Sequence, residues 1–166
     1  MFVDFTSASN TIVPNILLDR LKTCGVPFYL RSVIKSFLVN RQQFIQIGED
    51  KSLVLNCDTG CPQGCVLSPV LFSIYTEFIG AAHTDIKTFK YADDMVVVGL
   101  LNIKDSDTLY PFFDVIQTLL EQCASVSLLI NASKTKGMVM NFSKSCVVYD
   151  YIFINGRSSV FPLSST

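Results

Sequence analysis

The 166-residue chain lacks the features that would place it in several broad classes at once. It carries no excess of charge, since 13 Lys and Arg against 14 Asp and Glu leave a formal charge of -1 and a pI near 5.7. Bulk attraction to a phosphate backbone is therefore absent, and any nucleic-acid binding must come from local basic patches or from further segments of protein. Mean hydropathy is high at +0.41, yet no run approaches the roughly 18 apolar residues that span a bilayer. The start Met1-Phe2-Val3-Asp4 has no basic region of the kind that opens a secretory signal. A soluble, intracellular protein, nuclear or cytoplasmic, is expected. Internal repeats, linkers and low-complexity tracts are also missing. With 49% hydrophobic and 16% charged residues, one domain with a substantial core is the expectation.

Six cysteines are present, but the pairing that marks a structural zinc site is not. Cys57, Cys61 and Cys65 are regularly spaced around a Pro-Gly turn, and a zinc or iron–sulfur reading would need His83 or a distant Cys as fourth ligand. Structural zinc sites use two close pairs, and the second pair is absent. Small buried side chains in a reducing compartment are the competing account, and it extends to Cys24, Cys123 and Cys146. His83, the single histidine, reads as a surface loop residue.

What the chain does have is Phe89-Lys90-Tyr91-Ala92-Asp93-Asp94-Met95-Val96-Val97-Val98, two adjacent carboxylates at the tip of an apolar β pattern. Their desolvation must be offset by positive charge, and no neighbouring Lys or Arg is obviously placed to supply it. Mg²⁺, which takes one or two carboxylates plus substrate phosphates, is the economical answer. Asp at a hairpin bend is also a common turn former, so the rest of the chain must decide.

Val3 and Phe5 alternate with Phe2 and Asp4 as a short strand. Pro14 opens a helix that Gly25-Val26-Pro27 ends, and a second helix covers Phe28 to Val39. Gln43 to Cys57 reads as a hairpin around Gly48-Glu49-Asp50-Lys51. After the turn-rich Thr59-Gly60-Cys61-Pro62-Gln63-Gly64, Ser68 as N-cap and Pro69 at the first position start a helix with Val70, Leu71, Ile74 and Phe78 inward. That helix start turns backbone N–H groups towards an anion such as a nucleotide phosphate. Ile86–Tyr91 and Met95–Leu100 form a hairpin with the acids at its bend. Thr108 to Leu128 is the clearest helix, with Phe112, Phe113, Ile116, Leu119, Leu120 and Cys123 on one stripe. Asn131 to Lys136 is a polar connection, and Met138–Phe142 and Val147–Ile154 are closing strands. If the strand bearing Asp4 lies beside the later hairpin, at a spacing of about 4.8 Å, Asp4, Asp93 and Asp94 converge. Three such acids call for cations, and two Mg²⁺ ions are expected, as in polymerases and nucleases.

The order of these features resembles a known family. Phe2-Val3-Asp4-Phe5-Thr6-Ser7-Ala8 resembles the first catalytic motif of reverse transcriptases encoded by LINE-type non-LTR retrotransposons. The stretch from Gly60-Cys61-Pro62-Gln63-Gly64 to Ser68-Pro69-Val70-Leu71-Phe72 is similar to their second, Lys90-Tyr91-Ala92-Asp93-Asp94 to their third, and Asn131-Ala132-Ser133-Lys134-Thr135-Lys136-Gly137-Met138-Val139 to their fourth. The resemblance runs from Met1 to about Gly156. It implies an α+β fold, the antiparallel-sheet palm of a right-hand polymerase (ferredoxin-like, backed by helices) over residues 1–156, with a frayed Ser-rich tail at 157–166 and with fingers and thumb missing.

By the same resemblance the activity is RNA-directed DNA synthesis, with an RNA template, a DNA primer, deoxynucleoside triphosphates and Mg²⁺. Asp4 and Asp93 would be the principal metal ligands, with Asp94 adjacent. The backbone after Asp4, at Phe5, would meet the incoming triphosphate. Gln63 and Gly64 would lie against the nascent base pair, and Lys134 would protonate or neutralise the pyrophosphate. Arg41 reads as a solvated loop arginine rather than a nucleic-acid contact. Ser9 departs from the family, which carries at that position an aromatic residue that packs beneath the sugar and excludes a 2′-hydroxyl. The expectation is a fragment of a longer polyprotein, weak or inactive alone. The rivals are a non-catalytic retroelement remnant, a Cys-ligated metal protein and a two-metal nuclease; against the last stand the Pro-Gln-Gly loop and the absence of a suitable general base.

Overall fold

A computed structural model describes residues 1–100, 109–140 and 142, with the short strands at 153–154, 157–158 and 160–162. The chain forms two compact units, Met1–Thr6 with Phe78–Thr166, and Ser7–Glu77. Among the described residues no helix is long and apolar enough to cross a membrane. The fold is α+β, with helices and mainly antiparallel strands.

The chain opens with β1 (Phe2–Val3) and passes into the helical unit through a 3-10 turn at Ala8–Asn10. Pro14, whose fixed φ suits a first helical position, starts α1 (Pro14–Thr23), and α2 (Phe28–Leu38) follows Pro27. Gly25 at φ +78° makes the turn between them. A hairpin of two short ladders comes next: β2 (Arg41–Gln43) pairs with β5 (Leu55–Cys57), and β3 (Gln46–Ile47) with β4 (Asp50–Lys51). The expected hairpin is present, but its apolar residues are not inside. Phe44, Ile45, Ile47, Leu53, Val54 and Leu55 are all more than half exposed, because ladders two and three residues long leave no layer to cover them. The unit closes with α3 (Leu67–Tyr75), and its core is Ile12, Leu17, Leu21, Leu38, Leu71, Phe72 and Tyr75. Ser68 is not the N-cap expected of it. The helix begins two residues earlier than expected, at Leu67, and the Ser68 hydroxyl donates to the Pro62 carbonyl at 2.6 Å. The inward face also differs from expectation, since Val70 is exposed while Phe72 and Tyr75 are buried.

In the sheet unit, β6 (Ile86–Tyr91) and β7 (Asp94–Gly99) form the expected hairpin, and β1 joins it antiparallel in the order β1-β7-β6. Val3, Met95, Val97 and Ile86 face the core. Covering them is α4 (Leu109–Ser125), with Phe112, Ile116, Leu119 and Cys123 buried at the 3.6-residue spacing of an amphipathic helix. Gly99 admits Phe112 so closely that a Cβ there would lie 2.7 Å from its ring. Burial pushes the Cys123 thiol up to about 12, with Lys90 pulling the other way.

The remaining strands are short. β8 (Gly137–Val139) pairs in parallel with β11 (Val160–Pro162), and β9 (Phe153–Ile154) pairs with β10 (Arg157–Ser158). Residues 157–166, expected as a frayed tail, thus include these two pairings. Thr108, Cys146 and most of the Val147–Ile154 strand lie outside the described residues.

Candidate active site

The β1–β7 register, Phe2↔Val96 and Val3↔Met95, decides which carboxylates share a face. One further step sets Asp4 opposite Asp94, the first residue of β7. Side chains alternate along a strand, so Asp4 and Asp94 fall on the face of Phe2 and Val96, away from the core face of Val3 and Met95. Asp93 occupies the bend with Ala92, between the paired Tyr91 and Asp94, and is exposed. Ala92 adopts φ +52°, a left-handed conformation that costs a non-glycine residue about 1–2 kcal/mol.

Asp4 is held by its backbone. Its N–H donates to the Thr135 hydroxyl (3.2 Å), and its carbonyl accepts from the Asn131 N–H (2.8 Å). On either side of it, Phe2 and Lys136 exchange both main-chain hydrogen bonds, at 2.7 and 2.9 Å, and the Thr6 N–H donates to the Leu129 carbonyl at 2.8 Å. Phe5, buried, bridges to Ile130. The expected polar connection is therefore wrapped around the strand that bears the acid. The Asp4 side chain is treated differently: its Oδ2 is buried and has no hydrogen-bond partner among the described residues.

A buried carboxylate oxygen without a donor is costly. Lys90, the nearest cation in sequence to the acidic pair, does not face it: it pairs with Met95 on the core side, and its Nζ donates to the Ile79 carbonyl at 2.8 Å. Lys134 sits exposed in the turn that grips Asp4, with its N–H bonded to Asn131. Among the described residues no three His, Cys, Asp or Glu side chains gather as a ready-made ligand cluster. That holds for Cys57, Cys61 and Cys65 and for the three acids alike. Two carboxylates with an unsatisfied oxygen are nevertheless the oxygen-only donor set that Mg²⁺ accepts when substrate phosphates complete its shell.

Ser9, Gln63 and Gly64 lie in the helical unit. There the backbone of Thr59–Cys61 is seated on Ser9–Ile12: Cys61 N–H donates to the Ser9 carbonyl (2.9 Å) and Gly60 N–H to that of Ile12 (2.7 Å). Gly60, at φ +76°, is packed so tightly that a Cβ would come 2.8 Å from the Asn10 Cα. Gln63 Nε2 reaches Asn10 Oδ1 at 3.4 Å, and Gly64, at φ +75°, has open space where a Cβ would be. Arg41 is not the solvated arginine expected. Its guanidinium donates to the carbonyls of Thr59 and Gly60, and its Nε to that of Leu38. Cys61 is buried beside it, and burial pushes that thiol up. His83 accepts the Asp85 N–H in a loop.

Sequence reading missed Asn131, Thr135 and Arg41 as organisers. An Asn followed two residues on by Ser is a signal for a side-chain-capped turn, but nothing local reveals that the turn holds Asp4.

Comparison with known proteins agrees with the motifs. The family described as "Reverse transcriptase (RNA-dependent DNA polymerase)" matches residues 1–156. The chain is 30% identical over 142 residues to the RNA-directed DNA polymerase from mobile element jockey of Drosophila funebris, covering 80% of this chain and 15% of that protein. It is also 30% identical over 77 residues to the probable RNA-directed DNA polymerase from transposon BS of Drosophila melanogaster, covering 46% of this chain and 8% of that protein. Both relatives come from mobile elements of the LINE-like kind that the motifs resemble, and the chain spans a small part of their length. With its four motifs in order and nearly all of its length matched, this chain belongs to the reverse transcriptase family.

Proposed function

We propose that the chain is the palm portion of an RNA-directed DNA polymerase and carries out templated transfer of a deoxynucleotide to a primer 3′-hydroxyl. The observation that carries this reading is the unsatisfied, buried Asp4 Oδ2 at the end of a β1–β7 ladder whose register, Phe2↔Val96 and Val3↔Met95, runs towards Asp94. In this reading Asp4, Asp93 and Asp94 hold Mg²⁺ jointly with triphosphate oxygens, the last two exposed together at the bend. Two such ions, when bound, activate the 3′-hydroxyl and neutralise the leaving pyrophosphate. The Phe5 backbone meets the triphosphate, Gln63 and Gly64 border the nascent base pair, and Lys134 supplies a proton or positive charge to the pyrophosphate. Fingers and thumb would belong to other parts of a longer polyprotein. The chain's own formal charge of -1 supports weak binding of primer–template by this portion alone, because phosphate contacts by Lys and Arg supply most non-specific affinity.

The test is single-nucleotide incorporation on an RNA template with a DNA primer, using purified chain at high concentration. Slow incorporation that needs Mg²⁺ and drops at least about 100-fold in both Asp4→Asn and Asp94→Asn is expected. Incorporation unchanged in Asp4→Asn would refute the site. No incorporation at any concentration would favour the second reading, a non-catalytic retroelement remnant, to which Ser9 lends weight.

A further inference from the structure

A carboxylate beside a turn is ordinarily capped by the turn's own N–H groups. Asp4 is next to such a turn and receives none on its buried Oδ2. Most main-chain donors of that turn are spent elsewhere. The Asn131 N–H goes to the Asp4 carbonyl, the Thr135 N–H to the Asn131 carbonyl at 2.8 Å, and the Lys136 N–H to the Phe2 carbonyl. The Ser133 N–H and hydroxyl and the Lys134 N–H all converge on Asn131 Oδ1, at 3.2, 2.7 and 3.3 Å. Asn131 thus takes the capping place that an acid would fill. Thr135, 1% exposed, accepts the Asp4 N–H and fixes the backbone from which the carboxylate projects.

We propose that Asn131 and Thr135 are positioning residues for Asp4: they bind its backbone and draw the surrounding donors away, so that its carboxylate stays available to a divalent cation. This inference rests on Asp4 being a cation ligand, as proposed above. It assigns the side chains that surround the lysine of the fourth motif a task separate from that of Lys134.

The experiment is titration of the purified 166-residue chain with Mn²⁺, free ion being read by electron paramagnetic resonance, with far-ultraviolet circular dichroism as the check on folding. Loss of a group that orients a metal ligand typically costs about 10–100-fold in affinity. Thr135→Val, which keeps shape but removes the acceptor, should weaken Mn²⁺ binding by about tenfold or more, and Thr135→Ser, which restores the hydroxyl, should return it to near the parent value. Asn131→Ala frees the Ser133 N–H and hydroxyl from the Oδ1 that holds them and loosens the turn that grips Asp4, and should weaken binding in the same direction. Asn131 is only half-buried, so this variant decides the matter if Thr135→Val does not fold. Mn²⁺ binding lost in Asp4→Asn but unchanged in Thr135→Val and Asn131→Ala would overturn the positioning role alone. Binding unchanged in Asp4→Asn would remove the cation site itself, and the positioning role with it.

Discussion

Gly60→Ala tests whether the Pro-Gln-Gly loop is locked onto the Ser9 turn. Two separate costs can be worked from the structure. At φ +76° any Cβ meets the left-handed penalty of about 1–2 kcal/mol. The new methyl would also stand 2.8 Å from Asn10 Cα, 2.9 Å from the Ser9 carbonyl oxygen and 3.0 Å from that of Asn10. These are backbone atoms that cannot rotate away, and such overpacking costs a further 1–3 kcal/mol or so. The sum is about 2–5 kcal/mol. Gly25→Ala is the internal control: its φ is +78° with nothing within 4 Å, so it should show the conformational cost alone. Urea unfolding of the two variants beside the parent gives the difference, expected at about 1–3 kcal/mol. For a chain of this size, 3 kcal/mol corresponds to a fall in Tm of roughly 6–12 °C. Equal destabilisation by Gly60→Ala and Gly25→Ala would refute the close approach.

Two more outcomes are open to measurement. The Met1 ammonium donates to the Val97 carbonyl at 2.6 Å within the sheet, and burial lowers its pKa below the ordinary 8.0. The folded chain therefore binds fewer protons than the unfolded chain between the lowered value and pH 8, so stability should rise with pH across that window and level off above it. N-terminal acetylation keeps the N–H but removes the charge. It should abolish that slope in urea titrations at several pH values, and a slope that persists after acetylation would rule out this source. On the proposed polymerase reading, with a serine at position 9 where the family carries a sugar-excluding aromatic residue, deoxynucleotides should be favoured over ribonucleotides by less than about 100-fold in kcat/KM. Ser9→Phe should raise that ratio, and a strong deoxynucleotide preference in the parent would contradict the reading.

Much of this was legible in the chain. The α4 stripe is buried at Phe112, Ile116, Leu119 and Cys123 and half-buried at Phe113 and Leu120, because one helix face is enough to define a partner layer. The acid-tipped hairpin is equally clear, since an apolar run on each side of Tyr91-Ala92-Asp93-Asp94 leaves the strands nowhere else to turn. Register is another matter. The register Phe2↔Val96 and Val3↔Met95 joins strands more than 80 positions apart, and a one-residue offset between them leaves no trace in either segment alone. The Thr135 bond to Asp4 spans 131 residues and is equally silent. Ser68 misled for a different reason: Ser before Pro is a sound capping signal, but the hydroxyl found a better acceptor in Pro62 once the loop had folded back. The anchoring of Arg41 is hidden from the local sequence because its three carbonyl partners are contributed by segments on both sides of the hairpin.

The exposed side chains of that hairpin have a practical consequence. Ile45, Ile47 and Leu53, at 68, 78 and 87% exposure, lie in or beside short strands whose outer edges have no neighbour among the described residues. Edge strands of this kind recruit one another. Concentrated preparations of the chain should therefore self-associate through this arm, and charged substitutions at its tip are the rational first step towards a well-behaved sample.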